Sequence, residues 1–295
     1  MSKNKFYLYK MIAPASMVLV TSGYILSALT SFDSELMYFN NSFFLWFART
    51  CLALSLIALT AWPILFRKME LNVCDVHEKV PSPFHAFSLL LPAVGFLFCA
   101  VPPLNTSTPS WALFMLKAAA VISALFAVTQ FIFCVYSRFN RKLALVLRFI
   151  SGICAFIWCL VMIYLTYIDV TVTLNSPAKL LPQFALFSIM MVIVSELRVA
   201  IGSNKGQFWF FSLSLATVMC SAAGFPFFAY YITRKDYHSI YFAMSVLCMT
   251  FALYSLLRLY TGIRSPEESK PEEQGDLPEA VSSEDTAGAD EGGNA

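Results

Sequence analysis

Apolar residues in this chain come in long runs, and polar residues gather in the gaps between them. A helix that crosses a bilayer needs roughly 20 mostly apolar residues. Eight runs meet or approach that length, at about 11–31, 43–66, 84–103, 110–136, 143–167, 180–202, 207–232 and 240–260. They predict an all-α polytopic membrane bundle of eight transmembrane helices occupying 1–263. The third run is the weakest, because Pro92 interrupts it and Pro102 and Pro103 end it. Proline is tolerated in a spanning helix where neighbours satisfy the freed carbonyls. The first run has a basic start, but it is long and lacks an A-x-A site, so it reads as a span and not as a cleavable signal.

Charge sharpens this picture. Only 13% of the residues are charged and 58% are hydrophobic, where soluble domains carry about a quarter charged. From Met1 to Ile263 there are 18 Lys and Arg against 8 Asp and Glu, whereas from Arg264 to Ala295 there are 2 against 10. A basic body is thus joined to an acidic tail. Residues 264–295 are rich in Glu, Ser, Gly and Pro without an aromatic, and such a segment is expected to be disordered.

The loop cations set an orientation, since cytoplasmic loops carry an excess of Lys and Arg. With the N-terminus cytoplasmic, the inner side holds Lys3, Lys5, Lys10, Arg67, Lys68, Lys79, Arg138, Arg141, Lys142, Arg198, Lys205, Arg258 and Arg264. The outer side holds Lys179, Arg234 and Lys235. Thirteen against three supports an even number of spans in the cell membrane, with both termini cytoplasmic.

Catalytic and metal signatures are sparse. The inner loop Cys74-Asp75-Val76-His77-Glu78, with His85 beyond it, has metal-capable side chains at a spacing that fits no closed zinc pattern. The sequence has no P-loop, GxGxxG or HExxH, and its only histidines are His77, His85 and His238. Seven of the eight cysteines lie in apolar runs and no CxxC occurs, so they read as small buried hydrophobes. No cofactor, metal or nucleic-acid partner is expected.

The candidate chemistry lies inside the spans, where an ionisable residue is a functional-site hypothesis by default. Helix rise of ~1.5 Å per residue puts Glu196, six residues before Gly202, ~9 Å from the inner end. Arg148, six residues after Lys142, lies equally deep at ~9 Å on the preceding helix. The two are expected to pair, with Arg258 the next partner should that pairing fail. Arg198 is two residues on, faces elsewhere, and reads as reaching the inner surface.

Arg49 and Lys117 share a depth of ~10 Å on the outer side, with Lys179 above them and Gln183 one turn on. They outline an outward-facing basic pocket for an anionic ligand, or a set of side chains that fixes helix packing. In the seventh run Ser214, Thr217 and Ser221 share one face. Ala222, Ala223 and Gly224 allow close helix approach, and Gly224 with Pro226 is expected to bend or break the outer turn.

The segment Asn175-Ser176-Pro177, Lys179-Leu180-Leu181, Gln183, then Glu196 and Arg198, resembles one found in a family of bacterial multi-pass membrane proteins without an assigned function. That resemblance covers about a tenth of the chain and implies a membrane bundle and nothing more.

Two functions fit the sequence. One is transport or permeation of a small, anionic solute. The other is a non-transporting sensor or assembly partner that signals through its cytoplasmic face to a membrane or cytoplasmic protein. A solvent-connected cavity around Glu196 or Arg49 would favour the first, and a dry bundle the second. The lipid bilayer is a partner on both readings.

Overall fold

Long apolar runs with few helix breakers fold here into long helices. The computed structural model describes residues 3–33, 38–40, 42–65, 73, 83–100, 110–135, 141–169, 176–202, 206–234 and 240–262. The helices are α1 (Lys3–Ser31), α2 (Phe43–Leu65), α3 (Pro83–Ser88), α4 (Leu91–Ala100), α5 (Ser110–Val135), α6 (Arg141–Ile168), α7 (Pro177–Ala200), α8 (Gly206–Arg234) and α9 (Ile240–Thr261). Seven of them, all but α3 and α4, are long and apolar enough to cross a membrane. The chain is therefore an all-α, multi-pass membrane bundle. Two strands of two residues each, β1 (Phe32–Asp33) and β2 (Tyr38–Phe39), pair antiparallel between α1 and α2. The loop around Cys74–Glu78 and the acidic segment 264–295 lie outside the described residues.

The eighth expected span, 84–103, is a broken one. Helix α3 stops at Ser88, a turn covers Leu89 and Leu90, and α4 restarts at Leu91. Pro92 is the cause. It has no N–H to return to Ser88, yet it is accommodated in the first turn of a new helix. The Ser88 hydroxyl donates to the His85 carbonyl at 2.7 Å and so caps the end of α3. His85, which follows the inner-loop motif in sequence, is buried within α3.

Helices alternate in direction, which defines two ends. At the near end α1, α6 and α8 begin and α7 and α9 finish. The Tyr260 hydroxyl of α9 reaches Met11 of α1 there, 3.8 Å from its sulfur. At the far end Phe32 packs on Phe227 and Tyr230 of α8, and the Cys99 thiol of α4 donates to the Ala243 carbonyl of α9 at 3.6 Å.

Helix α7 starts where the turn signal places it. Ser176 is its N-cap, accepting from the Ala178 amide at 3.2 Å, and Pro177 fills the first position. This arrangement satisfies an otherwise orphaned amide and uses the proline where its missing N–H is harmless. Beyond the last turn Gly202 takes a φ of 90°, a conformation glycine adopts without penalty.

Burial separates centre from edge. Of the apolar stretch of α8, 78% is buried, against 22% for α2. Helix α9 runs beside α8 and is gripped by glycines from two neighbours. A Cβ on Gly224 of α8 would sit 2.6 Å from the Met249 amide nitrogen and 3.1 Å from the Cys248 carbonyl carbon. One on Gly95 of α4 would sit 2.9 Å from the Leu247 Cα. Both contacts are with backbone, which cannot rotate away.

Gly224 and Pro226 were expected to bend or break α8. The helix is not broken there and runs on to Arg234. Gly224 serves as a packing surface for α9, and the neighbouring backbone supports the helix through it.

Gly224→Ala is accordingly expected to cost about 1–3 kcal/mol by overpacking. Gly152→Ala should cost less, because its nearest neighbour, 3.0 Å away, is the flexible end of Leu197. Thermal denaturation in detergent checks this, and equal melting temperatures for the two variants would contradict it.

Candidate functional site

Near-end helix termini place four polar side chains within about one helical turn of one another in depth. Glu196 lies four residues before the last residue of α7, Arg258 three before the last of α9, Arg148 seven after the first of α6 and Trp209 three after the first of α8. At ~1.5 Å per residue these depths span ~4–11 Å. Helices that alternate in direction therefore bring all four to one place.

Glu196 is 0% exposed, and its carboxylate is held on both oxygens. Oε1 accepts from the Trp209 indole Nε1 at 2.9 Å and from Arg258 Nε at 3.1 Å. Oε2 accepts from Arg148 Nη2 at 3.2 Å and from Arg258 Nη2 at 3.4 Å. Arg148 Nη2 also reaches the Glu196 backbone carbonyl at 3.4 Å. Two planar guanidiniums and an indole thus surround one carboxylate, with Arg258 engaging it as a fork.

The surroundings are closed. The Arg258 guanidinium lies 5.4 Å from the centre of the Trp209 ring, within cation–π range. Gly262 follows on the near-end side, where a Cβ would come 2.5 Å from the Trp209 ring and 3.0 Å from Arg258 Nη1. One turn deeper on α9, the Tyr254 hydroxyl donates to Gln130 Oε1 of α5 at 3.0 Å, with both residues fully buried.

The expected Arg148–Glu196 ion pair is present, at 3.2 Å. Arg258 does not replace that pair. It adds a second one, at 3.1 Å. Arg258 is not the loop cation its place near a helix end suggests: it is 2% exposed inside the bundle. Trp209 and Gln130 were missed. Trp209 stands only three residues into α8, shallower than the level counted for Arg148 and Glu196, and an indole carries no charge to mark it in an apolar run. Arg198 lies partly exposed, its guanidinium 5.4 Å from the Phe208 ring centre.

The far-end residues do not form the expected basic pocket. Arg49 is on α2, which packs on α1 and α8, while Lys117 is on α5, which packs on α4 and α6. Equal depth on helices that are not neighbours does not make a site. Lys179 turns inward: it is 2% exposed, and its ammonium donates to the Asp169 carbonyl at the end of α6 at 2.7 Å. The Asp169 carboxylate in turn accepts from the Tyr241 hydroxyl of α9. Together these tie the far ends of α6, α7 and α9.

Gln183 is half-buried, and among the described residues its amide nitrogen has no hydrogen-bond partner. Ser214, Thr217 and Ser221 are fully buried in α8. Thr217 and Ser221 donate back to Leu213 and Val218 of their own helix at 2.8 and 2.9 Å, and the Ser214 hydroxyl has no partner among the described residues. This face packs against other helices.

A crevice with room for about one water molecule lies between α7, α8 and α9, bordered by Ala178, Pro182, Tyr231, Tyr241 and Ser245. Pro182 has no N–H, so the Ala178 carbonyl lacks its usual helical donor at that wall. The Glu196 cluster is at the opposite end of these helices.

No family model, curated protein or solved structure matches this chain. The resemblance carried by Asn175, Ser176, Pro177 and Glu196 therefore brings no activity with it, and the functional reading rests on the geometry.

Removing one member of a buried ion pair costs about 3–5 kcal/mol, because the other charge is left bare. Glu196→Gln leaves two guanidiniums facing each other and is expected to cost most. Arg148→Gln, which leaves Glu196 with Arg258 and Trp209, should cost least among the charged positions. The double change of Glu196 and Arg148 should lose less folded protein than the sum of the single changes. Folded yield and melting temperature in detergent measure this, and strict additivity would contradict the coupling.

Proposed function

We propose that the chain is a multi-pass protein of the cell membrane whose bundle acts as a fixed module, a sensor or assembly partner that signals through its cytoplasmic face. The carrying observation is the enclosure of Glu196, 0% exposed with both oxygens engaged by Arg148, Arg258 and Trp209. A carboxylate that loads and releases a proton, cation or solute must exchange its partners and meet water during its cycle. Here such an exchange breaks two buried ion pairs at once. The α8 hydroxyls of Thr217 and Ser221 add support, since they turn onto their own helix carbonyls.

The second reading, permeation or transport of a small anionic solute, draws on the crevice beside Tyr231 and Tyr241 at the far end. Reconstitution into liposomes separates the two. Swelling rates in chloride, nitrate, phosphate and acetate are expected to match protein-free vesicles. Protein-dependent flux that Glu196→Gln abolishes would sink the module reading.

The orientation in this proposal has the near end cytoplasmic, with both termini there. It rests on the loop cations. Taking out the buried Arg258 and the equally buried Lys179 leaves twelve basic residues on the near side against Arg234 and Lys235. A cysteine introduced at Asn105 is expected to react with an impermeant maleimide from outside intact cells, and one at Ser283 only after permeabilisation. Labelling of both from the same side would end this arrangement.

A further inference from the structure

Helix α2 is the least enclosed of the long helices, with 22% of its apolar stretch buried against 39% or more for α1 and α6. Leu45, Ala48, Ser55 and Leu59 form its packed side, against α1 and α8. Phe43, Trp46, Leu54 and Ile57 point away from the bundle, and Phe47 flanks Gly23 of α1. Arg49 stands in this helix, partly exposed, at the edge of the contact with α1, where its charge acts on the Tyr24 hydroxyl, and no ion pair or hydrogen bond of the described residues engages its guanidinium. A cation so placed in a membrane helix is costly unless an anion or the interface meets it.

Geometry selects the anion. Arg49 is six residues from the start of α2, so its Cα lies ~9 Å below the far-end surface. Side chains on a helix lean toward its N-terminus, and for α2 that is the far end. The arginine stem thus carries its guanidinium up toward the level of Phe43. Trp46 is one turn nearer the surface, three residues away on the same side of the helix, and 61% exposed. Its indole offers one N–H donor, and tryptophan favours headgroup depth.

The anionic group of a bilayer at this depth is the phosphodiester, and guanidinium forks match its geometry. A carboxylate on a partner helix is the competing occupant. Helices dock closely through small residues; on this face those residues, Thr50, Ala53 and Ala58, lie deeper than Arg49, whereas on the far-end side of Arg49 the exposed Phe43, Phe44 and Trp46 present a bulky surface suited to acyl chains. We propose that Arg49 and Trp46 form a binding site for the phosphate of an anionic phospholipid in the far-end leaflet. This proposal holds under either functional reading above.

The test uses the purified full-length protein in detergent, titrated with phosphatidylglycerol or phosphatidylcholine and read by native mass spectrometry and by melting temperature. Phosphatidylglycerol is expected to bind about fivefold more tightly, equivalent to about 1 kcal/mol for one basic side chain at an anionic surface. Arg49→Gln should remove that preference, Arg49→Lys should keep part of it, and Trp46→Phe should reduce it. Lys117→Gln, on a helix that packs elsewhere, should leave it unchanged. Equal binding of the two lipids, an undiminished preference in Arg49→Gln, or the same melting shift with inorganic phosphate would each overturn the site. A photoreactive residue at Thr50 that crosslinks a protein in native membranes, and no lipid, would overturn it in favour of a partner helix.

Discussion

One carboxylate holds the near end of this bundle together. Glu196 is the shared acceptor for side chains from three other helices, α6, α8 and α9. Burying a charge is expensive, and a buried ion pair often does no better than a well-packed apolar substitute. The cluster is therefore better understood as a register device than as a source of stability. A helix that slides by one residue moves its donor ~1.5 Å along the axis and loses a bond that lipid cannot replace. Four helices are thereby locked to one level.

The far end has a comparable tie of a different kind. Lys179 holds the Asp169 carbonyl just past the end of α6, and the Asp169 carboxylate accepts from the Tyr241 hydroxyl of α9. Helices α6, α7 and α9 are thus pinned at both ends. Between those ends α9 runs against α8 at Gly224 and against α4 at Gly95, with no room for a Cβ on either side. Sliding and separation are both opposed in this half of the molecule. Helices α1 and α2 lie at the margin, held by packing on α8 and by the short β1–β2 pairing. This division favours a module that presents a surface over one that opens a path, and it leaves α2 as the helix most available to lipid.

Much of this was legible in the chain because depth in a membrane is nearly one-dimensional. Position along a helix fixes level through a constant rise, so Arg148 and Glu196 could be matched from residue counts. The start of α7 was equally readable, since the cap at Ser176 and the proline after it act within a few residues. The interruption of the third run was foreshadowed by Pro92, a local effect of a missing N–H.

Neighbour order and azimuth were settled by the tertiary structure. Arg49 and Lys117 share a level but sit on helices that do not pack together, so the pocket inferred from depth alone does not form. Arg258 looked like a loop cation because it stands close to a helix end, yet α9 turns it inward onto Glu196. Gly224 and Pro226 carry the composition of a helix break, and the packed backbone of Met249 makes that stretch a contact surface instead. In each case the local sequence allows several outcomes, and the choice depends on which helix lies alongside. The sequence by itself determined the helices, their alternation and the levels of their polar residues. The packing of all the helices against one another decided which of those residues meet.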